Sequence, residues 1–158
     1  MMKELFMDYL MVLLWSMVPI VELRGAIPIG TMGMGLPVWS TYIVAVLGNM
    51  VPVPFIIKFI RPIFEFLQEK TFLKKFVEHY IDKANRNAEK VRRYKMLGLF
   101  LFVAIPLPGT GAWTGALVAA FMDMRIKDAF PPIALGVVTA GLIMVVLSLF
   151  GINIMQSI

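Results

Sequence analysis

The sequence predicts an all-α integral membrane protein made of two re-entrant helical hairpins, each followed by a transmembrane helix. A cytoplasmic amphipathic helix joins the halves, which form an inverted-topology repeat. Three observations carry that prediction. The chain of 158 residues is 59% hydrophobic and 16% charged, with mean hydropathy +0.82, whereas a soluble domain is usually ~45–50% apolar and about 25% charged. The charges cluster, leaving uncharged runs over Ala26–Ile57, Met96–Met122 and Ala129–Ile158, and apolar runs beyond ~18 residues are membrane-embedded. Finally, two apolar stretches are interrupted by Pro/Gly/Thr clusters, Pro19–Gly30 and Pro106–Gly115. Broken backbone at membrane depth needs protein or water around it, and paired interruptions in two halves point to a transport site.

Helix length sorts the segments in order. The run Tyr9–Val21 gives only about 20 Å of helix, at ~1.5 Å per residue, against a hydrocarbon core ~30 Å thick. It reaches the bilayer centre and returns, so a first hairpin is expected over about 5–35. Lys3 is followed at once by Glu4 and Asp8, with no Ala-x-Ala site after the apolar stretch, so the N-terminal segment is expected to be retained. Val38–Ile57 is long enough to cross, which places a spanning helix at about 37–60, kinked at Pro52 and Pro54. Met96–Ile105 and Ala112–Met122 give about 15 and 16 Å, a second hairpin over about 96–122. Pro131–Ile152, roughly 33 Å, is the second span, at about 130–152. The whole is one membrane domain, 1–158, with parts 1–60, 61–95 and 96–158.

The middle part orients the rest. Of 15 Lys and Arg, 11 lie between Lys58 and Lys95, and a short basic linker stays on the cytoplasmic side. Its stripe of Leu73, Phe76, Val77, Tyr80, Ala84, Ala88 and Val91 describes an amphipathic helix on the membrane surface. The pairs Asp82/Arg86 and Glu89/Arg93 support it. Interspersed acids in this segment argue against nucleic acid. A cytoplasmic arm makes the two hairpins enter from opposite faces, so that their tips meet near the midplane. Internal matches support the repeat: Leu47-Gly48 with Leu135-Gly136, Thr41-Tyr42 with Ala129-Phe130, and Gly25 with Gly109.

Glu22 and Arg24 are the charged residues inside the first break, and an ionisable group in a membrane segment costs ~2.5–3.5 kcal/mol on insertion scales. Such groups face a cavity or pair with one another. Glu22 is therefore the candidate for proton or cation uptake and Arg24 for holding an anion, the alternative being a structural ion pair at the tip. The limbs after each break would aim free N–H groups at the midplane. Gly25, Gly109 and Gly111 permit close backbone approach, and Thr110 and Thr114 supply hydroxyls. Gly111 and Gly115 also make a GxxxG packing spacing. Pro28, Pro106 and Pro108 shape the breaks. Trp113 offers a ring for stacking or packing, and Asn49 lines the cavity or bonds a neighbouring helix. No cysteine is present and His79 stands alone, so no metal or cofactor is expected. No hydrolase or nucleotide motif is found, so no enzyme activity is expected.

The motifs Glu22-Leu23-Arg24-Gly25-Ala26-Ile27-Pro28, Leu47-Gly48-Asn49 with Pro52-Val53-Pro54, and Ala104-Ile105-Pro106-Leu107-Pro108-Gly109-Thr110-Gly111-Ala112-Trp113-Thr114-Gly115-Ala116 resemble the small multi-drug export protein family. That family is in turn similar to the DedA/VTT membrane proteins, which share paired re-entrant hairpins. The resemblance implies a transporter or a proton-coupled flippase of lipid-phosphate carriers. The acidic residue that many DedA proteins carry in the Pro-Gly break is missing here. The expected partners are membrane lipids, a small amphiphilic or anionic substrate, and a second copy in a homodimer. An exporter of lipophilic cations using Glu22, or a scaffold working through the basic arm, are the alternatives.

Overall fold

Every regular element in the computed structural model is a helix, and no strand occurs among its described residues, 2–68, 88–107 and 109–157. The elements are α1 (Met2–Met17), α2 (Glu22–Pro28) continuing into a π-helical turn (Ile29–Gly33), α3 (Val38–Met50), α4 (Pro52–Gln68), α5 (Ala88–Ala104), α6 (Ala112–Phe121) and α7 (Ile126–Ser157). Most of the arm stripe, with His79 and the Asp82/Arg86 pair, lies outside the described residues, as does Pro108.

Among the described residues two stretches are long and apolar enough to cross a membrane, Val38–Ile60 and Ile126–Asn153, where two spanning helices are expected. The first bends at α3/α4. Pro52 and Pro54 have no N–H to give the carbonyls one turn back, and Val51 N–H bonds the Gly48 carbonyl at 3.3 Å, three residues back. Helix continues past Ile60 to Gln68, into the segment expected to start the arm.

The first interruption is shorter than its Pro/Gly cluster suggests. Only Val18–Val21 leaves the helix, and α2 already starts at Glu22, well inside the expected Pro19–Gly30 interruption. Pro28 is accommodated at the end of α2 with helical backbone (φ −59°, ψ −42°). The chain then widens: Met34 N–H reaches the Ile29 carbonyl at 3.0 Å, five residues back, as a π-turn does. The second interruption, Ile105–Gly111, separates α5 from α6, as expected.

Packing follows small residues. Ala26, Ala45, Ala112, Ala116, Ala119, Ala129 and Ala140 are buried, while Trp39, Ile43, Leu47, Val51, Phe55 and Phe59 are exposed at every fourth position along α3 and α4. Small residues inside and large apolar ones outside is how helices associate in lipid, where close backbone approach and dispersion hold them together. The glycines show it directly. A Cβ at Gly48 would meet the Leu13 carbonyl oxygen of α1 at 2.6 Å. A Cβ at Gly136 would meet Val103 at 2.7 Å and the Phe100 carbonyl oxygen of α5 at 3.0 Å. Gly30 sits against Val12 and Thr41, and Gly115 against Val103, Leu99 and Ile133. Thus α3 lies on α1 as α7 lies on α5. The second limbs cross over: α2 also packs on α7, and α6 on α4. Three buried hydroxyls are satisfied along their own helices, whereas the buried Ser148 Oγ has no protein partner among the described residues. Ser16, Thr31 and Thr41 each donate to the carbonyl four residues back, at 2.6, 2.8 and 2.9 Å.

Candidate functional site

The crossed packing brings the Val18–Val21 turn against Ile105–Gly111. On the first side, Glu22 N–H bonds the Val18 carbonyl at 2.9 Å, and Glu22 itself has φ +49°. A non-glycine residue held there costs about 1–3 kcal/mol and persists where its surroundings impose it. The turn places Glu22, 5% exposed, and Arg24 in the first turn of α2. On the second side, Thr110 Oγ1 donates to the Ile105 and Leu107 carbonyls at 2.8 and 2.9 Å. Gly109 (φ +83°) and Gly111 (φ +142°) supply conformations other residues resist.

Arg24 grips this second break. Its Nη1 donates to the Leu107 and Thr110 carbonyls at 2.5 Å each, and its Nη2 to those of Val103 and Ile105 at 3.3 Å each. These acceptors surround the C-terminal end of α5, where carbonyls lack helical partners and the dipole is negative. A guanidinium has five N–H groups in a fixed fork, so four are engaged with backbone.

Glu22 takes the opposite end of the break. Its Oε1 accepts the Trp113 backbone N–H at 3.3 Å, at the N-terminus of α6, where N–H groups lack helical acceptors and the dipole is positive. The Trp113 indole N–H donates to the Met17 carbonyl at 2.8 Å, adding a tie to the end of α1. The expected alternative of a tip-closing Glu22–Arg24 ion pair is not what forms. Among the described residues neither is the other's hydrogen-bond partner, and each charge meets the complementary end of the interrupted second helix.

Between the breaks lies a cavity of about 490 Å³. Pro19, Ile20, Val21, Glu22, Arg24, Gly25 and Ile29 line it from the first half, and Pro106, Leu107, Gly109, Thr110 and Thr114 from the second. Of the sequence-predicted residues, the cavity thus gathers Glu22, Arg24, Gly25, Pro106, Gly109, Thr110 and Thr114. Gly111 and Trp113 stand behind its wall as partners of Glu22. Pro28 ends α2 away from the lining. Asn49 is 1% exposed inside α3, off the cavity, and its Oδ1 has no protein partner. Sequence reasoning missed the backbone acceptors of Arg24 and the apolar wall of Pro19, Ile20, Val21 and Ile29. A carbonyl has no residue-type signature, although both sets flank the two breaks. Among the described residues no group of three His, Cys, Asp or Glu could hold a metal ion.

The family described as "Putative small multi-drug export protein" matches residues 22–143, a span that begins at Glu22 and includes the whole second break. No curated protein and no solved structure matches the chain.

Proposed function

The chain belongs to the small multi-drug export family, and from that membership we propose that it is a membrane transporter whose substrate occupies the cavity between the two breaks. The observation that carries this is the cavity itself, about 490 Å³ with a buried carboxylate on a mainly apolar wall. Amphiphilic ligands suit such a lining, in which a few polar groups fix orientation.

Depth supports the reading. Asp8 is the last charge of α1 before its break and Lys95 the last of α5, and nine residues separate each from the helix end, about 14 Å by helical rise. The ten residues of α6 rise about 15 Å from the polar loop Asp123–Asp128. Both breaks then sit near the middle of a core ~30 Å thick. The reciprocal glycine contacts of Gly48 with α1 and Gly136 with α5, and the exchange of α2 and α6 between halves, support two re-entrant hairpins in an inverted repeat. The basic segment 61–95 is then cytoplasmic.

Glu22 is the exchanging group in this account. It binds a proton or an organic cation and is restored when that ligand leaves. A second reading, an acidic or lipid-phosphate headgroup held by Arg24, is supported by the place of Arg24 on the cavity wall. It requires the guanidinium to leave its carbonyl acceptors during the cycle. Flux into proteoliposomes under a pH gradient, with a cationic and an anionic fluorescent amphiphile in separate runs, tests both. Gradient-driven flux of the cationic probe that falls to the empty-liposome level in Glu22→Gln is the expected result. Flux of the anionic probe alone, lost in Arg24→Gln, favours the second reading. Unchanged flux of both probes in both variants refutes the site.

A further inference from the structure

The Glu22 carboxylate occupies the space that a side chain at Gly111 would need. A Cβ built on Gly111 would fall on the Glu22 carboxylate, 2.7 Å from Cδ and from Oε1 and closer still to Oε2. The space of a missing side chain is filled by the end of another, 89 residues away in the chain. Gly111 is also the residue before α6, with φ +142°, so its backbone is turned in a way that only glycine adopts readily. That turn presents the Trp113 N–H to the carboxylate.

We propose that Gly111 is a positioning residue: its bare backbone is the seat that holds the Glu22 carboxylate against the N-terminus of α6 and thereby sets how readily Glu22 takes up a proton. This rests on the reading of Glu22 as the exchanging group. Within the seat, the ionised form is stabilised by one N–H and by the positive end of α6. Out of the seat, it stands against an apolar wall with neither. Arg24, two residues on, is the other charged residue lining the cavity. α3 and α6 carry no charged residue, Lys3, Glu4 and Asp8 lie in the first half of α1, and Lys127 and Asp128 lie in the first turn of α7.

The two strained glycines of the second break make the test specific. Gly109, at φ +83°, has nothing within 4 Å of the place a Cβ would take, so Gly109→Ala imposes backbone strain and leaves the seat open. Gly111→Ala imposes strain and fills the seat. The full chain in lipid nanodiscs is titrated by infrared difference spectroscopy. The protonated carboxyl band of Glu22 is identified by its absence in Glu22→Gln. The band in Gly111→Ala is expected to persist to a pH about one unit above that of the unaltered chain, through loss of a stabilising bond to the charged form. Gly109→Ala is expected to titrate as the unaltered chain does. Equal midpoints in Gly111→Ala and the unaltered chain overturn the proposal, as does an equal shift in Gly109→Ala.

If Gly111→Ala does not fold, Glu22→Asp replaces it. The shorter acid keeps the seat open and falls short of it, so its midpoint is expected to rise, although an unperturbed Asp titrates about 0.4 units below Glu. A midpoint that falls by that intrinsic difference overturns the proposal. Transport is measured separately on the same variants. A shifted band with an unshifted flux profile leaves the seat standing and removes Glu22 from coupling, so the two claims fail independently.

Discussion

Arg24 and Glu22 are two residues apart and meet opposite ends of the same interrupted helix, and that division of labour governs what substitutions do. Arg24 serves four carbonyls in two directions with one planar fork. A lysine ammonium is a point charge and cannot cover them together. Arg24→Lys is expected to destabilise the protein by about 2 kcal/mol, since bonds to a charged group contribute roughly 1.5–3 kcal/mol each and part of the set survives. The fall in the midpoint of detergent-induced unfolding in mixed micelles measures this. A midpoint equal to that of the unaltered chain would show that the grip adds nothing. Both charges were legible in the sequence, as ionisable residues in an apolar segment must be accounted for. Their partners were not. Backbone carbonyls at Val103, Ile105, Leu107 and Thr110 look like any others until the fold brings them together. The seat at Gly111 was legible only as a glycine suited to close approach, with the approaching group unspecified.

Among elements, the contacts of α3 with α1 and of α7 with α5 each depend on one glycine. A Cβ at Gly48 would meet a backbone oxygen at 2.6 Å, which cannot move aside cheaply, whereas one at Gly136 would meet mainly the Val103 side chain, at 2.7 Å, with a carbonyl oxygen at 3.0 Å. Gly98 of α5 faces open space. Gly48→Ala is therefore expected to lose about 2–3 kcal/mol as an overpacking substitution and Gly136→Ala about 1–2. Gly98→Ala is expected to be neutral or to gain roughly 0.5–1 kcal/mol from helix propensity. The same unfolding midpoints rank the three, and a Gly48→Ala variant as stable as Gly98→Ala would refute close α1–α3 packing. The sequence located the second break closely because Pro106 and a run of glycines leave no helical alternative. It placed the first limb boundary too late. Gly25 and Gly30 suggested loop, yet both lie in helix against packed neighbours, and Pro28 ends α2 with helical backbone just before the π-turn.

For the whole molecule, the proposed transport cycle requires the ties across the cavity to release in turn. Arg24 on the end of α5, Glu22 on the start of α6 and the Trp113 indole on Met17 are the ties that join the two breaks. Leu47-Gly48 and Leu135-Gly136 were legible as matching dipeptides, and both glycines lie at close helix contacts, Gly48 on α1 and Gly136 on α5. The chain has no cysteine, so single cysteines can be introduced without background. The most direct measurement is the depth of spin labels attached through Ile20→Cys, a cavity-wall residue of the first break that is 92% exposed, and through Thr110→Cys in the second. Power saturation with lipid-soluble oxygen against a water-soluble nickel chelate gives the depth of each label. Both labels are expected near the bilayer centre, with limited nickel accessibility through the cavity. Labels at the depth of the headgroups, or fully open to the nickel chelate, would contradict a transport site between the breaks.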